Sequence, residues 1–183
     1  MRHTPAFAAL AATTALIGLG TTAAEARLGT TAAEARVDTS RAEVVKEKGI
    51  VLECTGKADG LAAYVNLYEN DTYSNYVQVI LADDPRLAKS REPADILSDG
   101  KVRTGVRIAG KRARVTGTAK RVGPKKHVHE EYDDAGQHIV ADGFHRRLAH
   151  DLRLRYDGIT VPLTCAPAFY YSLNVTKTDT TGD

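Results

Sequence analysis

"RLRYDGITVPLTC", residues 153–165, decides the fold. Asp157-Gly158 stands between two runs of alternating apolar residues. In that setting an Asp-Gly pair is the strongest short signal for a two-residue β-hairpin turn. Folding the chain there sets Tyr156 against Ile159, Leu154 against Val161, Leu152 against Leu163 and His150 against Cys165. Apolar residues meet along one face, so burial of that face specifies the register. Pro162 falls opposite Arg153 and has no N–H for the next neighbour, which predicts an edge strand or an interruption over 159–165.

The period of two extends in both directions. Upstream, "KVRTGVRIAGKRARVTGTAK" (101–120) reads as a second hairpin with Gly110-Lys111 at the turn. Ile108 then faces Ala113, Val106 faces Val115, Thr104 faces Gly117 and Val102 faces Ala119. "GIVLECT" (49–55), "AAYVNLYEN" (62–70) and "SNYVQVILA" (74–82) are rich in the β-branched, aromatic and aliphatic residues of strands. "DDPRLAKSREPADILSDG" (83–100) breaks the pattern, and its Asp84-Pro85 predicts a short helical crossover near 84–97. Downstream, "AFYYSLNV" (168–175) closes the series as a last strand. Short strands with frequent turn signals predict a single-domain, all-β, antiparallel barrel or sandwich of about eight to ten strands.

The ends bound the domain. Met1-Arg2-His3, the apolar "PAFAALAATTALIGLG" (5–20) and small residues before Ala26 read as a secretory signal peptide. "LGTTAAEAR" occurs twice, at 19–27 and 28–36, and offers cleavage after Ala26 or after Ala35. The first 35 residues are therefore set aside, and the apolar run is too short and alanine-rich for a membrane span. Residues 36–48 suit a short helix, with capping-box spacing between Ser40 and Glu43, or a loose arm. The β domain is expected over 49–176, and the polar 177–183 as a disordered tail.

A secreted chain with two cysteines, Cys54 and Cys165, predicts one disulfide. The two lie 111 positions apart. A loop of that size adds about 4 to 5 kcal/mol in the chain-entropy account. Lys plus Arg is 25 against 23 for Asp plus Glu, so global charge implies no partner and local charge must carry that argument.

Residues 101–126 hold ten Lys and Arg and no acid. In the hairpin register above, Lys101, Arg103, Arg107, Arg112, Arg114 and Lys120 share the outer face, with Arg107 opposite Arg114. Like charges opposite one another disfavour pairing. Such a face either has acidic neighbours, for which Glu53, Glu69 and Glu130 are the candidates, or meets an anionic partner. Arg147, Arg153 and Arg155 form a second outer stripe. Aromatic residues are not interleaved with the basic run, which argues against single-stranded nucleic acid. Outside a cell, the anionic partners left are a wall polymer, an acidic polysaccharide or an acidic protein.

"HVHEEYDDAGQH" (127–138) offers different chemistry. With a four-residue turn at Asp133–Gly136, Glu131 pairs His138, His129 pairs Val140 and His127 pairs Asp142. His127, His129, Glu131, His138 and Asp142 then lie on one side of a hairpin, a donor set suited to a divalent transition metal. A polar, solvated hairpin face is the alternative. His150 reads as a satisfied core histidine and His145 as a polar cap at the start of its strand.

Gly123, His127, His129 and Asp133 or Asp134 resemble the first motif of the cupin family, which implies a metal-binding barrel. The acid here is Asp rather than Glu, and no second motif follows. "VPLTCAP" (161–167) is similar to the strand around the first cysteine of the bacterial subtilisin-inhibitor family, small exported β-rich proteins. That family has four cysteines, and the pair holding its reactive loop is missing here.

No Gly-x-Ser-x-Gly is present, both cysteines are expected to be oxidised, and the adjacent acids Glu130, Glu131, Asp133 and Asp134 are not an opposed glycosidase pair. The residues therefore lean away from an enzyme. They point first to a secreted, non-enzymatic binding module acting through the basic face, with no nucleic acid, no membrane span and no required cofactor. A metal-binding β protein and an inhibitor of a secreted enzyme are the other two classes.

Overall fold

The computed structural model describes residues 42–179. The expected signal peptide with its two cleavage sites lies outside these residues. Among them the chain forms ten antiparallel strands and one 3-10 turn. The strands are β1 (Glu43–Ala58), β2 (Leu61–Asn70), β3 (Tyr76–Leu81), β4 (Ala88–Arg91), β5 (Leu97–Ser98), β6 (Lys101–Ile108), β7 (Lys111–Arg121), β8 (Lys126–Asp134), β9 (Gln137–Tyr156) and β10 (Ile159–Asp179). Their order in the sheet is β4-β3-β2-β1-β10-β9-β7-β6-β5, and β8 pairs separately with β9. The sheet curls into a half-barrel.

Five hairpins turn on two residues whose second is glycine and whose φ angles are both positive. They are Asp59-Gly60, Asp99-Gly100, Ala109-Gly110, Ala135-Gly136 and Asp157-Gly158. Positive φ at both positions marks the type I′ turn, whose twist matches that of the flanking strands. The Asp157-Gly158 register is as expected, with Tyr156 opposite Ile159, Leu154 opposite Val161 and Leu152 opposite Leu163.

Two expected registers are corrected. The β6–β7 turn is Ala109-Gly110 rather than Gly110-Lys111, so Ile108 pairs Lys111, Val106 pairs Ala113, Thr104 pairs Val115 and Val102 pairs Gly117. The β8–β9 turn is Ala135-Gly136 rather than Asp133–Gly136, so Asp133 pairs His138, Glu131 pairs Val140 and His129 pairs Asp142. In each the type I′ turn places glycine second, and alanine accepts the positive φ before it. Each register moves by two residues, and a shift of two keeps every side chain on its own face.

Three further expectations change, and a fourth holds. The helix or arm over 36–48 is, from Glu43 onward, the start of β1, paired with Val175, Asn174 and Leu173 of β10. A helix of a dozen residues is marginal in water, whereas ladder pairing satisfies the same backbone groups. The helical crossover near 84–97 reduces to the 3-10 turn Pro85–Leu87, capped by the Asp84 carboxylate on the Arg86 N–H, before β4 begins. Lys177, Thr178 and Asp179, expected in a disordered tail, pair with Ile139, His138 and Gln137. The expectation for 159–165 holds around the proline: the segment belongs to β10, but its residues 159–163 pair with β9 alone and the β9 register breaks after Leu163. Its pairing with β1 runs only to Thr164, short of Pro162, so the missing N–H costs no ladder bond there.

The disulfide forms. Cys54 and Cys165 are directly opposite on β1 and β10, both on the buried face, with an S–S distance of 2.10 Å. It ties the first strand to the last, because the two strands expected at 159–165 and 168–175 are one continuous strand.

Long strands serve two cores. In β9 the even positions Leu148, Leu152 and Leu154 are buried in the half-barrel core, together with Leu52, Val65, Val79, Val115 and Val161. Earlier in the same strand the odd positions Ile139 and Ala141 are buried, in a small second cluster with Val175 and the partly buried Leu173. The β9–β10 register slips by one residue between Leu163 and Phe169. A bulge of this kind exchanges the faces of one strand against its partner. The half-barrel therefore grades into a smaller wing made of β8, residues 137–147 of β9, residues 168–179 of β10 and the start of β1. At the junction the buried Asn70 amide donates to the Tyr68 and Tyr171 hydroxyls and to Glu47. Burial, foremost, pushes the Tyr171 hydroxyl pKa well above its ordinary value.

Candidate functional site

The basic face is built by β6, β7 and the second half of β9. Alternation puts Val102, Val106, Ile108, Ala113, Val115, Leu152 and Leu154 inside, which forces their sequence neighbours outward. Lys101, Arg103, Arg107, Arg112, Arg114 and Lys120 are all exposed on this outer face, as are Arg153 and Arg155. The like-charge opposition is real but involves other partners than expected. Arg107 pairs with Arg112, and Arg114 lies between Gly105 on β6 and Arg155 on β9.

The acids that were to balance this face lie elsewhere. Glu69 accepts the N–H groups of Ile96 and Leu97. Glu53 is opposite Asn66, and Glu130 is opposite Ala141 in the wing. Among the described residues, carboxylates reach this region at two points. Asp151 meets Arg153 at 3.3 Å, and Asp157 pairs with Lys111, which raises the lysine pKa. No ion pair involves Arg103, Arg107, Arg112, Arg114 or Arg155 among these residues. Arg107 donates to the Gly110 carbonyl, and Arg155 Nε donates to Thr160.

Two shallow grooves open on the face. One, of about 290 Å³, is lined by Arg112, Arg114, Arg155, Tyr156 and the Asp157-Gly158 turn. The other, of about 340 Å³, is lined by Arg91, Gly105, Val106, Arg107 and Arg112. Gly105 brings no side chain to the outer face and has a φ of +152°. A Cβ there would meet the Ala113 carbonyl oxygen at 2.1 Å, so glycine is required. Arg91 crosses from β4 to this gap and donates to the Gly105 carbonyl and, at 3.3 Å, to Thr104 Oγ1. Arg91 was not anticipated. It lies in a stretch without periodicity, and only the curl of the sheet brings it to β6.

The histidine hairpin is the second candidate. The corrected register keeps His127, His129, Glu131, His138 and Asp142 on one face, as expected, but changes the contacts. His129 Nδ1 lies 3.0 Å from Asp142 Oδ2, and its Nε2 lies 3.0 Å from Glu131 Oε1. His138 Nδ1 is 2.9 Å from Asp133 Oδ1, and His127 Nε2 is 3.5 Å from Asp142 Oδ2. A protonated imidazolium at 129 satisfies both carboxylates with its two N–H donors. The bond to Asp142, then that to Glu131, raises the His129 pKa, and the same bond lowers that of Asp142. Among the described residues no group of three or more His, Cys, Asp or Glu is arranged to hold a metal ion.

The remaining histidines differ from expectation. His145 is not a strand start but the middle of β9, opposite Lys126 and Tyr171 and against the Phe169 ring. His150 is part-buried, with Nε2 3.3 Å from the Cys165 carbonyl oxygen, while its buried Nδ1 has no hydrogen-bond partner. "VPLTCAP" lies within the strand β10, as its resemblance to a strand implies.

No protein-family model matches the chain, and comparison with curated proteins and with solved structures finds no significant match. The two short resemblances thus stand without a family match. The chain is an all-β half-barrel with one disulfide and a basic outer face. The disulfide is consistent with an oxidising, extracellular location. Among the described residues no helix is long and apolar enough to cross a membrane.

Proposed function

We propose that this protein is a secreted, non-enzymatic binding module that contacts an anionic extracellular partner through the outer face of β6, β7 and β9. The observation that carries the reading is the double opposition of arginines, Arg107 with Arg112 and Arg114 with Arg155, with no carboxylate on any of the four among the described residues. Cross-strand like charges weaken a sheet. A face that accepts that opposition twice, side by side, is suited to a ligand supplying the missing negative charge. The guanidinium is the side chain whose planar fork best matches an oxyanion.

The test is retention of the full chain on anionic wall polymer, eluted by a salt gradient. Wild type is expected to be retained at low salt and released as the Debye length shortens. The variant R107E/R114E, both changes at exposed positions, is expected to keep its melting behaviour and lose retention. A double variant that folds and binds at full strength reduces the face to a solvated surface.

A further inference from the structure

The two grooves share one residue. Arg112 lines both, with Arg114 and Arg155 on one side of it and Arg107 and Arg91 on the other. We infer that they form a single two-part site for neighbouring tetrahedral oxyanions, phosphate or sulfate groups, with Arg112 held between the two. This rests on the binding face just proposed and names the chemistry it takes.

Three features point to that chemistry. The first is acceptor count. Arg112, Arg114 and Arg155 converge on one groove. A carboxylate has two oxygens and saturates one guanidinium fork, whereas a tetrahedral oxyanion offers three or four oxygens to several forks. The second is availability. Arg112 and Arg114 have no hydrogen bond or ion pair to another described residue, and Arg155 commits only Nε, to Thr160. The one acid in the groove, Asp157, is neutralised by Lys111. The third is spacing. Direct cross-strand neighbours lie about 5 Å apart, and residues two apart on a strand about 7 Å. Arg107–Arg112 and Arg114–Arg155 are two such cross-strand pairs, offset by one two-residue step along β7. The centres of the two pairs, one strand spacing and one two-residue step apart, are therefore about 8 Å from each other, and long arginine side chains can converge from them on anionic groups a few ångström closer together. Arg91 is positioned for this by its bond to the Gly105 carbonyl, which leaves charge at the rim of the second groove.

The experiment is calorimetric titration of the full chain at low salt with inorganic tripolyphosphate, with orthophosphate and citrate as comparisons. Tripolyphosphate is expected to bind one to one, more tightly than either. R112A is expected to lose about tenfold or more in affinity, since hydrogen bonds to charged groups are involved. R112K keeps the charge but not the fork, and is expected to lose several-fold. R103A, on the same face but outside both grooves, is expected to change binding less than about twofold. Matching polymers then separate the sources: long-chain polyphosphate, dextran sulfate and polygalacturonate. Preference for either of the first two supports the site and tells phosphate from sulfate. Equal binding of polygalacturonate overturns the tetrahedral assignment. If R112A, R112K and R103A are indistinguishable while wall polymer is still retained, the two-part site is wrong and the diffuse face survives. If neither tripolyphosphate nor wall polymer binds, both readings fall.

Discussion

On the outer face of β6, β7 and β9 arginine stands opposite arginine; in the wing, histidine stands beside carboxylate. Both surfaces are exposed, both lie on antiparallel strands, and β9 runs through the two. In the wing His129 is flanked by Asp142 and Glu131, and His138 by Asp133, so charge is answered within the fold. On the half-barrel the four central arginines find no carboxylate among the described residues. The sequence already puts the basic face first, although three histidines and several acids in a dozen positions look like a ligand site. Geometry supplies a physical reason for that order. A cluster whose charges neutralise one another has less left for a ligand than a cluster whose members, among the described residues, meet no opposite charge.

The two regions also differ in depth of core, and that difference sets the largest expected effect. Leu154 is fully buried in the half-barrel, whereas Ile139 is 7% exposed in a cluster made only of Ala141, Val175 and Leu173. L154A is expected to cost about 3 to 5 kcal/mol in urea unfolding, and I139A nearer 2. Hydrogen exchange sharpens the contrast. I139A should release amides of β8 and the first half of β9 while leaving those of β2, β3 and β7 at wild-type protection. Equal losses of stability, with protection falling everywhere, would make the molecule one cooperative unit and remove the distinction between half-barrel and wing.

How much of this was legible depends on what each residue had to specify. Inside–outside alternation needs only local pattern, so the all-β class, the buried cysteine pair and the six outward basic positions were readable. Asp157-Gly158 gave a correct register because its chemistry names its turn. Ala109-Gly110 and Ala135-Gly136 did not, because alanine is no turn signal and glycine alone leaves two frames open. The errors kept the faces and lost the partners, which is why Arg107 was set opposite Arg114 and Glu131 opposite His138. Glu43 to Lys48 carries no strong period, and its strand state comes from pairing with β10, a partner more than a hundred residues away. Arg91 entered the site only through the curl of the sheet. Non-local closure of this kind leaves no trace in a short window of sequence.

A smaller effect tests the arginine opposition as a property of the sheet itself. Replacing Arg107 by threonine removes one like-charge pair and introduces a good strand former. R107T is expected to gain a few tenths of a kcal/mol at low salt. The gain should shrink toward the propensity difference at about 1 M salt, where the Debye length is near 3 Å. A loss of stability at low salt would mean that the bond from Arg107 to the Gly110 carbonyl outweighs the repulsion, and the basic face would then be a structural feature of the turn.

The smallest expected effect lies in the wing and has the opposite sign. Contacts to Asp142 and Glu131 raise the His129 pKa above its ordinary 6.5. They therefore add stability that is fully present below about pH 6.5 and fades as pH rises through the folded value. The Asp142 pKa is lowered from 3.8, so its share is present above about pH 4 and is lost as pH falls through its folded value. The pair is at full strength between these limits. H129Q keeps a hydrogen-bonding side chain but cannot take up the charge. Urea midpoints of wild type and H129Q should differ most near pH 5.5 and draw together by about pH 8.5, with high salt narrowing the gap at the lower pH. Because the three groups are exposed, solvent and salt hold the difference well below the core effects. A gap that is constant from pH 5.5 to 8.5 would show that the imidazole acts by packing alone. In that case the wing carries its charges no more purposefully than the half-barrel does, and the contrast between the two surfaces would rest on the arginines alone.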